Sequence, residues 1–234
     1  MKSHRLAFLV IVLCLAAISV KAADIWVETI DPSYGITSNR GRDAEKKGDY
    51  EKALKYYTTS INIAPREWAT YYNRARIYIL QKKWNLALED INTIIRLKPG
   101  FLMASIIHGR IQGVLGNYSV ALADYDAILK LKPMEFTRAE VLSNRAWILA
   151  TCPNSSLRDG NQAVTDAKAA CNITGWKKME HLNSLAAAYA EVGNFDEAVR
   201  VEEKAIKRAK EDRTVATLQR LLQMYREHHP YRSA

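Results

Sequence analysis

The chain has 234 residues, which is enough for one or two ordinary domains or for one array of repeats. Hydrophobic residues make up 48% and charged residues 25%, a balance that excludes an intrinsically disordered chain. Ten glycines and six prolines are few for an all-β protein and favour helices. The formal net charge of +9 favours acidic partners, but basic residues without interleaved aromatic residues give little support for nucleic-acid binding.

Residues 1–22 have the layout of a secretory signal peptide. A basic start, MKSHR, precedes an apolar run of 15 residues, and small residues two apart end the segment at Ala22. Fifteen apolar residues fall short of the ~20 that span a bilayer, so cleavage after Ala22 is predicted and a retained anchor is the alternative. We therefore expect an exported protein, periplasmic or secreted, without a transmembrane segment in the mature chain. Loss of Lys2, Arg5 and Lys21 would leave 31 basic and 25 acidic residues, a net charge of +6.

A period of 34 residues dominates the rest of the sequence. Four windows align without gaps: GDYEKALKYYTTSINIAP (48–65), KKWNLALEDINTIIRLKP (82–99), GNYSVALADYDAILKLKP (116–133) and GNFDEAVRVEEKAIKRAK (193–210). The third position is aromatic (Tyr50, Trp84, Tyr118, Phe195), the sixth is alanine (Ala53, Ala87, Ala121, Ala198), and a small residue lies upstream (Gly41, Ala75, Gly109, Ala186). The pattern predicts two helices joined by a tight turn, in which small residues let the helix axes approach. Proline ends the second helix in the first three windows.

These residues resemble the tetratricopeptide repeat, a helix hairpin with a small residue, an aromatic residue, two alanines and a proline at this period. The resemblance covers roughly residues 34–210 and implies an all-α, right-handed α-solenoid of five hairpins. The repeats are predicted at residues 37–65, 66–99, 100–133, 134–175 and 176–210, after a lead-in at 23–36. An apolar helical face (Val215, Leu218, Leu221, Leu222 and Tyr225) predicts a capping helix at 211–229, followed by a tail at 230–234.

The fourth repeat contains a stretch, ATCPNSSLRDGNQAVTDAKAACNITGWK (150–177), that looks like part of an active site. It aligns instead as a hairpin whose turn is lengthened by PNSSL, and it resembles a structural variant found in bacterial tetratricopeptide proteins. Cys152 would lie at the far end of the first helix and Cys171 about 13 residues into the second, roughly 20 Å away. Because a disulfide needs Cα atoms within about 7 Å, we predict two buried free thiols.

The mature chain offers no recognisable catalytic or metal-binding motif. None of its four histidines has a zinc-ligand spacing with Cys or Glu, and no Gly-rich phosphate loop or G-x-S-x-G occurs. His108, beside the small Gly109, is predicted to be structural, whereas His228 and His229 are predicted to lie on a frayed tail. We therefore expect no enzyme activity, no cofactor and no metal ion.

The resemblance also implies that the first helices line a concave groove, which in tetratricopeptide arrays holds extended peptides or partner helices. Arg42, Arg76 and Arg110 recur at the 34-residue period and are predicted to face this groove. Glu45 could pair with Arg42 at i+3. Arg76 and Arg110 have no acidic residue one turn away, so each could bind a carboxylate in bidentate fashion. The alternative is that acids of an adjacent second helix neutralise these arginines, or that they face water.

Three residues, Tyr72, Ile106 and Trp147, are predicted to receive apolar side chains in the groove. Asn73 matches one position of the carboxylate clamp in chaperone-binding tetratricopeptide domains. The other four clamp positions hold Ser38, Arg42, Met103 and Ile107, so the clamp is not predicted.

The predicted function is a non-catalytic protein-interaction scaffold that binds an extended acidic and apolar segment in the groove. One alternative is a structural or assembly component of a cell-envelope complex that docks through its convex face or edges. A binder of small molecules or envelope polymers is a third.

Overall fold

The computed structural model describes residues 31–233, and every regular element in them is helical. The predicted signal peptide and residues 23–30 of the lead-in lie outside the described residues. The α-helices in this range are α1 (Pro32–Lys46), α2 (Tyr50–Ile63), α3 (Trp68–Leu80), α4 (Trp84–Leu97), α5 (Leu102–Val114), α6 (Tyr118–Lys130), α7 (Glu135–Thr151), α8 (Gly160–Ile173), α9 (Met179–Glu191), α10 (Phe195–Ile206) and α11 (Asp212–Arg226). None of these helices combines the length and hydrophobicity that crossing a membrane requires.

The helices form five consecutive hairpins, α1–α2, α3–α4, α5–α6, α7–α8 and α9–α10, and α11 packs against α10. Each hairpin also packs against the next one along the chain. The array is a right-handed α-solenoid, so the predicted fold class is confirmed. Helix α1 begins at Pro32, five residues before the predicted start of the first repeat, because Asp31 caps its N-terminus by accepting a hydrogen bond from Ser33 N.

The turn inside four of the hairpins uses a residue in the left-handed region. Gly48, Gly116 and Gly193 have φ angles of 76°, 81° and 75°, and Lys82 takes the same place in the second hairpin with φ 56°. At each turn the next residue donates its N–H to a carbonyl five residues earlier, as in Asp49 N to Ala44 O at 3.0 Å. This bond satisfies a carbonyl that the helix end leaves open.

Small residues on the first helix are matched to the residue that faces them on the second. A Cβ atom at Gly41 would lie 2.5 Å from the ring of Tyr57, and one at Gly109 would lie 2.7 Å from the ring of Tyr125. Both tyrosines are buried, and each ring occupies the space that a Cβ atom on the facing glycine would take. The alanines of the repeat pattern (Ala53, Ala87, Ala121, Ala163 and Ala198) are completely buried in the helix interfaces.

Ion pairs within hairpins form a second repeated feature that the sequence analysis missed. Arg74 donates two hydrogen bonds to Asp90, at 2.9 and 2.7 Å, and Arg145 donates two to Asp166, at 2.7 and 3.0 Å. Burial raises the pKa of Asp90, although Arg74 opposes the effect. The same position in the third hairpin holds His108, which lies 2.6 Å from Asp124. The structural role predicted for His108 is therefore confirmed.

The fourth hairpin replaces the short turn by a Cys-Pro sequence and a single 3₁₀ turn, Ser155–Leu157. Asp159 then caps α8 by accepting a hydrogen bond from Gln162 N at 2.9 Å. Cys152 and Cys171 are both buried and free, as predicted. Burial raises the pKa of the Cys171 thiol to about 12, which makes it unreactive in the folded chain.

Helix α11 covers the end of the array with the predicted face. Leu218, Leu221, Leu222 and Tyr225 are buried and Val215 is half-buried. The segment after α11 is not frayed, in contrast to the prediction. His228 stacks on Phe195 with ring centroids 5.0 Å apart, and residues 231–233 return to α7 and α9.

Candidate peptide-binding groove

The first helices of the second, third and fourth hairpins line two neighbouring cavities. One of about 370 Å³ lies between α3 and α5 and is lined by Tyr72, Arg76, Met103, Ile107, Arg110 and Val114, among others. A second of about 410 Å³ lies between α5 and α7 and is lined by Arg110, Gly113, Val114, Asn144, Trp147 and Tyr231, among others. Together these residues define the groove, and Arg110 and Val114 line both of its cavities.

Arg76 has an acidic partner that neither the prediction nor its alternative anticipated. Its Nη2 lies 3.1 Å from Oε1 of Glu45, which belongs to α1, the preceding first helix. Tyr57 donates a hydrogen bond to the other oxygen of Glu45 at 2.8 Å, so the carboxylate is held from two sides. Arg42, the partner predicted for Glu45, instead donates to Asn39 and remains exposed. Arg76 is therefore partly committed to a contact within the array, and Arg42, predicted to face the groove, lines neither cavity.

Arg110 is the exposed groove arginine whose charge stays uncompensated. Within residues 31–233 it makes no hydrogen bond or ion pair. Burial raises the pKa of Tyr125, which lines the same cavity, and the Arg110 charge opposes this effect. A guanidinium with apolar neighbours and free N–H groups can bind a carboxylate in bidentate fashion.

The apolar part of the groove differs from the prediction by one residue. Ile106 is 3% exposed and packs in the core with Tyr125 and Ile148, so it is wrong as a groove residue. Its neighbour Ile107, rotated by about 100° around the helix, lines the α3–α5 cavity in its place. Tyr72 lines this cavity and is held edge-on against Phe101, with ring centroids 5.7 Å apart.

The remaining predicted residues, Asn73 and Trp147, differ in their placement. Asn73 is half-buried and lines neither cavity, whereas Trp147 lines the α5–α7 cavity with Tyr231 of the tail packed against it. Sequence reasoning missed Leu80 and Val114, which are 62% and 55% exposed at the rim of the groove. Their signal was present, because both are apolar residues in the last turn of a first helix, 34 residues apart.

No metal site emerges in the part of the chain that the structure describes. In residues 31–233 no three His, Cys, Asp or Glu side chains lie close enough together to hold an ion. The arrangement of the groove, with one uncompensated cation among apolar side chains, is suited to binding rather than to proton transfer or nucleophilic attack.

Comparisons with known proteins support the repeat pattern. Two family models described as tetratricopeptide repeat match residues 38–100 and 179–211. Human sperm-associated antigen 1 is 42% identical over 65 residues, which is 28% of this chain and 7% of that protein. A tetratricopeptide repeat and J domain-containing co-chaperone of Cryptococcus neoformans is 30% identical over 104 residues, 44% of this chain and 20% of that one. The chain thus spans a fifth or less of these two relatives.

Solved structures share the fold at low sequence identity. A tetratricopeptide repeat protein from Parabacteroides merdae superposes with a TM-score of 0.65 at 20% identity, covering 90% of this chain and 78% of that one. A thermophilic protein of Thermus thermophilus, also described as a tetratricopeptide repeat protein, has a TM-score of 0.61 at 20% identity and covers 82% and 99%. The family models identify tetratricopeptide repeats at residues 38–100 and 179–211, and the solved structures share the fold of the chain.

Proposed function

We propose that this chain is a non-catalytic protein-interaction module that binds an extended acidic and apolar peptide segment in the groove. The observation that carries the proposal is Arg110, an exposed guanidinium without a counter-charge among the described residues, placed where both cavities meet. Arg76 contributes less, because Glu45 already neutralises it.

The cavity beside Arg110 indicates what else the ligand carries. Its wall contains Tyr72, Met103 and Ile107, and the exposed Leu80 and Val114 stand at its rim. Apolar side chains of a peptide would bury this surface at about 25 cal/mol per Å² of apolar area, while a carboxylate of the same peptide would meet Arg110. An extended segment suits a groove of successive helices, because each hairpin then contacts one part of the peptide.

The signal-like layout of residues 1–22 supports an exported location, so the proposed partner is a protein of the periplasm or the extracellular space.

An assembly component that docks outside the groove is a second candidate function. It is favoured by a separate apolar patch at the link between α6 and α7, where Leu131, Met134 and Phe136 are 67%, 81% and 56% exposed. Apolar patches on the surface mark interaction sites in many soluble proteins.

Selection of peptides followed by a charge-removing variant tests the groove. A phage-displayed library of random peptides would be selected on the chain, and the recovered peptides measured against Arg110→Ala. Loss of a hydrogen bond to a charged group is worth about 1.5–3 kcal/mol, so we expect a loss of affinity of about tenfold or more.

Arg138→Ala is the matched control, because it removes the same charge from an exposed residue of α7 that lines neither cavity. The melting temperature should change little in either variant. Equal affinity of both variants for the selected peptides would contradict groove binding, and selected peptides that contact Phe136 instead would favour the assembly component.

A further inference from the structure

The C-terminal end of α7 differs from those of the other first helices. In the other four hairpins a left-handed residue lets the chain turn back and close the last carbonyls of the helix. Here Cys152 is followed by Pro153, which has no N–H to donate, and the lengthened turn leads away from the helix. Ile148 O accepts from Cys152 N at 3.0 Å, and Leu149 O accepts from Asp159 N of the turn at 3.1 Å. The carbonyls of Ala150 and Thr151 need donors from elsewhere.

Residues 231–233, in the segment after α11, supply those donors. Arg232 Nη1 donates to Ala150 O at 3.3 Å, and Ser233 N donates to Thr151 O at 2.9 Å. The hydroxyl groups of Ser233 and Thr151 are 2.8 Å apart and share a further hydrogen bond. A guanidinium at this position also lies at the negative end of the α7 dipole, where a positive charge is favoured.

Two side chains of the array complete the contact. Arg232 Nη2 lies 2.7 Å from Oε2 of Glu191, an ion pair outside hydrogen-bond geometry. Tyr231 packs its ring against Trp147 with centroids 5.7 Å apart and planes at 38°. Glu191 is held in place by Arg158, whose Nε donates to its other oxygen at 2.8 Å. The receiving surface is therefore ordered by contacts within the array.

This surface presents a defined set of chemical groups. It offers two open helix carbonyls and one hydroxyl group for donors, one carboxylate for a cation and one indole ring for an aromatic side chain. An aromatic residue, a basic residue and a serine, in that order, satisfy all of them. The surface is chemically opposite to the Arg110 region, which suits an acidic ligand.

We propose that the ends of α7 and α9 form a second peptide-binding site, selective for an aromatic–basic–serine sequence, which Tyr231, Arg232 and Ser233 of the same chain fill. Tyr231 and Ser233 also line the cavity that Arg110 borders. If the groove binds peptides as proposed above, a segment that extends from Arg110 towards α7 must displace this tail.

A peptide supplied in trans tests the proposal without knowledge of the partner. The full chain carrying Tyr231→Ala and Arg232→Ala has an open second site, and the probe is the acetylated, amidated pentapeptide His-Pro-Tyr-Arg-Ser, which is residues 229–233. Amide chemical shifts of ¹⁵N-labelled protein report where the probe binds. We expect shifts at Trp147, Thr151 and Glu191, an affinity at least tenfold higher for the variant than for the intact chain, and loss of binding when alanine replaces the arginine of the probe.

Other results would overturn the proposal. Equal affinity for the intact chain and the variant, or no shift around Thr151 at millimolar probe, would show that this surface is not a peptide site. A dimeric intact chain that becomes monomeric in the variant would show that the tail fills a neighbouring copy instead. Arg226→Ala, whose side chain pairs with Glu203 outside this site, is the control variant and should behave as the intact chain. Because the probe does not involve Arg110, failure here leaves the proposed groove function to its own test.

Discussion

Glu202 on α10 provides the sharpest test of the packing at the end of the array. Its side chain is completely buried between α9 and α11, close to Tyr225, and no basic residue among residues 31–233 compensates its charge. Burial raises its pKa from 4.5 to about 8. Asn183, with its amide nitrogen turned towards the carboxyl group, donates to both oxygens at 3.1 and 3.2 Å and partly supports the charged form.

The raised pKa makes the free energy of unfolding depend on pH. Below pH 4.5 the carboxyl group is protonated in both the folded and the unfolded chain, so this contribution to stability is fully present. As pH rises towards about 8 only the unfolded chain ionises, and stability falls by about 1.4 kcal/mol per pH unit. The rise in the pKa of Glu202 corresponds to at most about 5 kcal/mol in the free energy of unfolding. Because the Asn183 hydrogen bonds reduce this contribution, we expect the free energy of unfolding to fall by about 2–5 kcal/mol.

Urea unfolding between pH 4 and pH 9 measures this loss as the difference between the wild type and Glu202→Gln. Glutamine keeps the shape and accepts from Asn183 but does not ionise, so the two chains should be about equally stable at pH 4. At pH 9 the variant should be more stable by about 2–5 kcal/mol. Glu89→Gln, at an exposed position of α4, should follow the wild type at every pH. A Glu202→Gln difference that stays constant across this range would refute the reasoning.

Three further outcomes follow from the packing and the turns. In urea unfolding, Gly109→Ala should lower the free energy of unfolding by about 1–3 kcal/mol, because its Cβ atom would lie 2.7 Å from a tyrosine ring. Gly113→Ala on the same helix should be neutral or slightly stabilising, because its Cβ atom would lie 3.5 Å from the nearest side-chain atom. Lys82→Gly should raise the melting temperature, since φ 56° strains a side chain by about 1 kcal/mol; a lower melting temperature would contradict the strain. Cys152 and Cys171 should resist alkylation in the native chain and both react in denaturant without reductant, and labelling only after reduction would contradict two free thiols.

The repeat architecture was predictable because its signals are local and periodic. The aromatic residue, the alanine and the proline recur at fixed offsets, so the fold class and the hairpin units followed from the sequence. The cysteine state was also predictable, because helix geometry alone separates Cys152 from Cys171.

The groove was predictable only in part, because its details depend on neighbouring hairpins. Helix α5 is apolar on most of its circumference, and hydrophobic periodicity therefore could not distinguish Ile106 from Ile107. The pairing of Arg76 with Glu45 joins two hairpins, and a search for partners one turn away on the same helix could not find it. Residues 231–233 show no periodic pattern that could predict a contact. The helix carbonyls that they bind are open because α7 ends at a Cys-Pro sequence.

The matching of glycine with tyrosine has a consequence for how such an array can be rebuilt. Gly109 of α5 accommodates Tyr125 of α6, whereas the equivalent Ala75 of α3 packs in one cluster with Ile91 of α4. Exchanging α3 with α5 would create a clash in one hairpin and a void in the other. Whole hairpins, rather than single helices, are thus the units that recombination or engineering can shuffle in this protein.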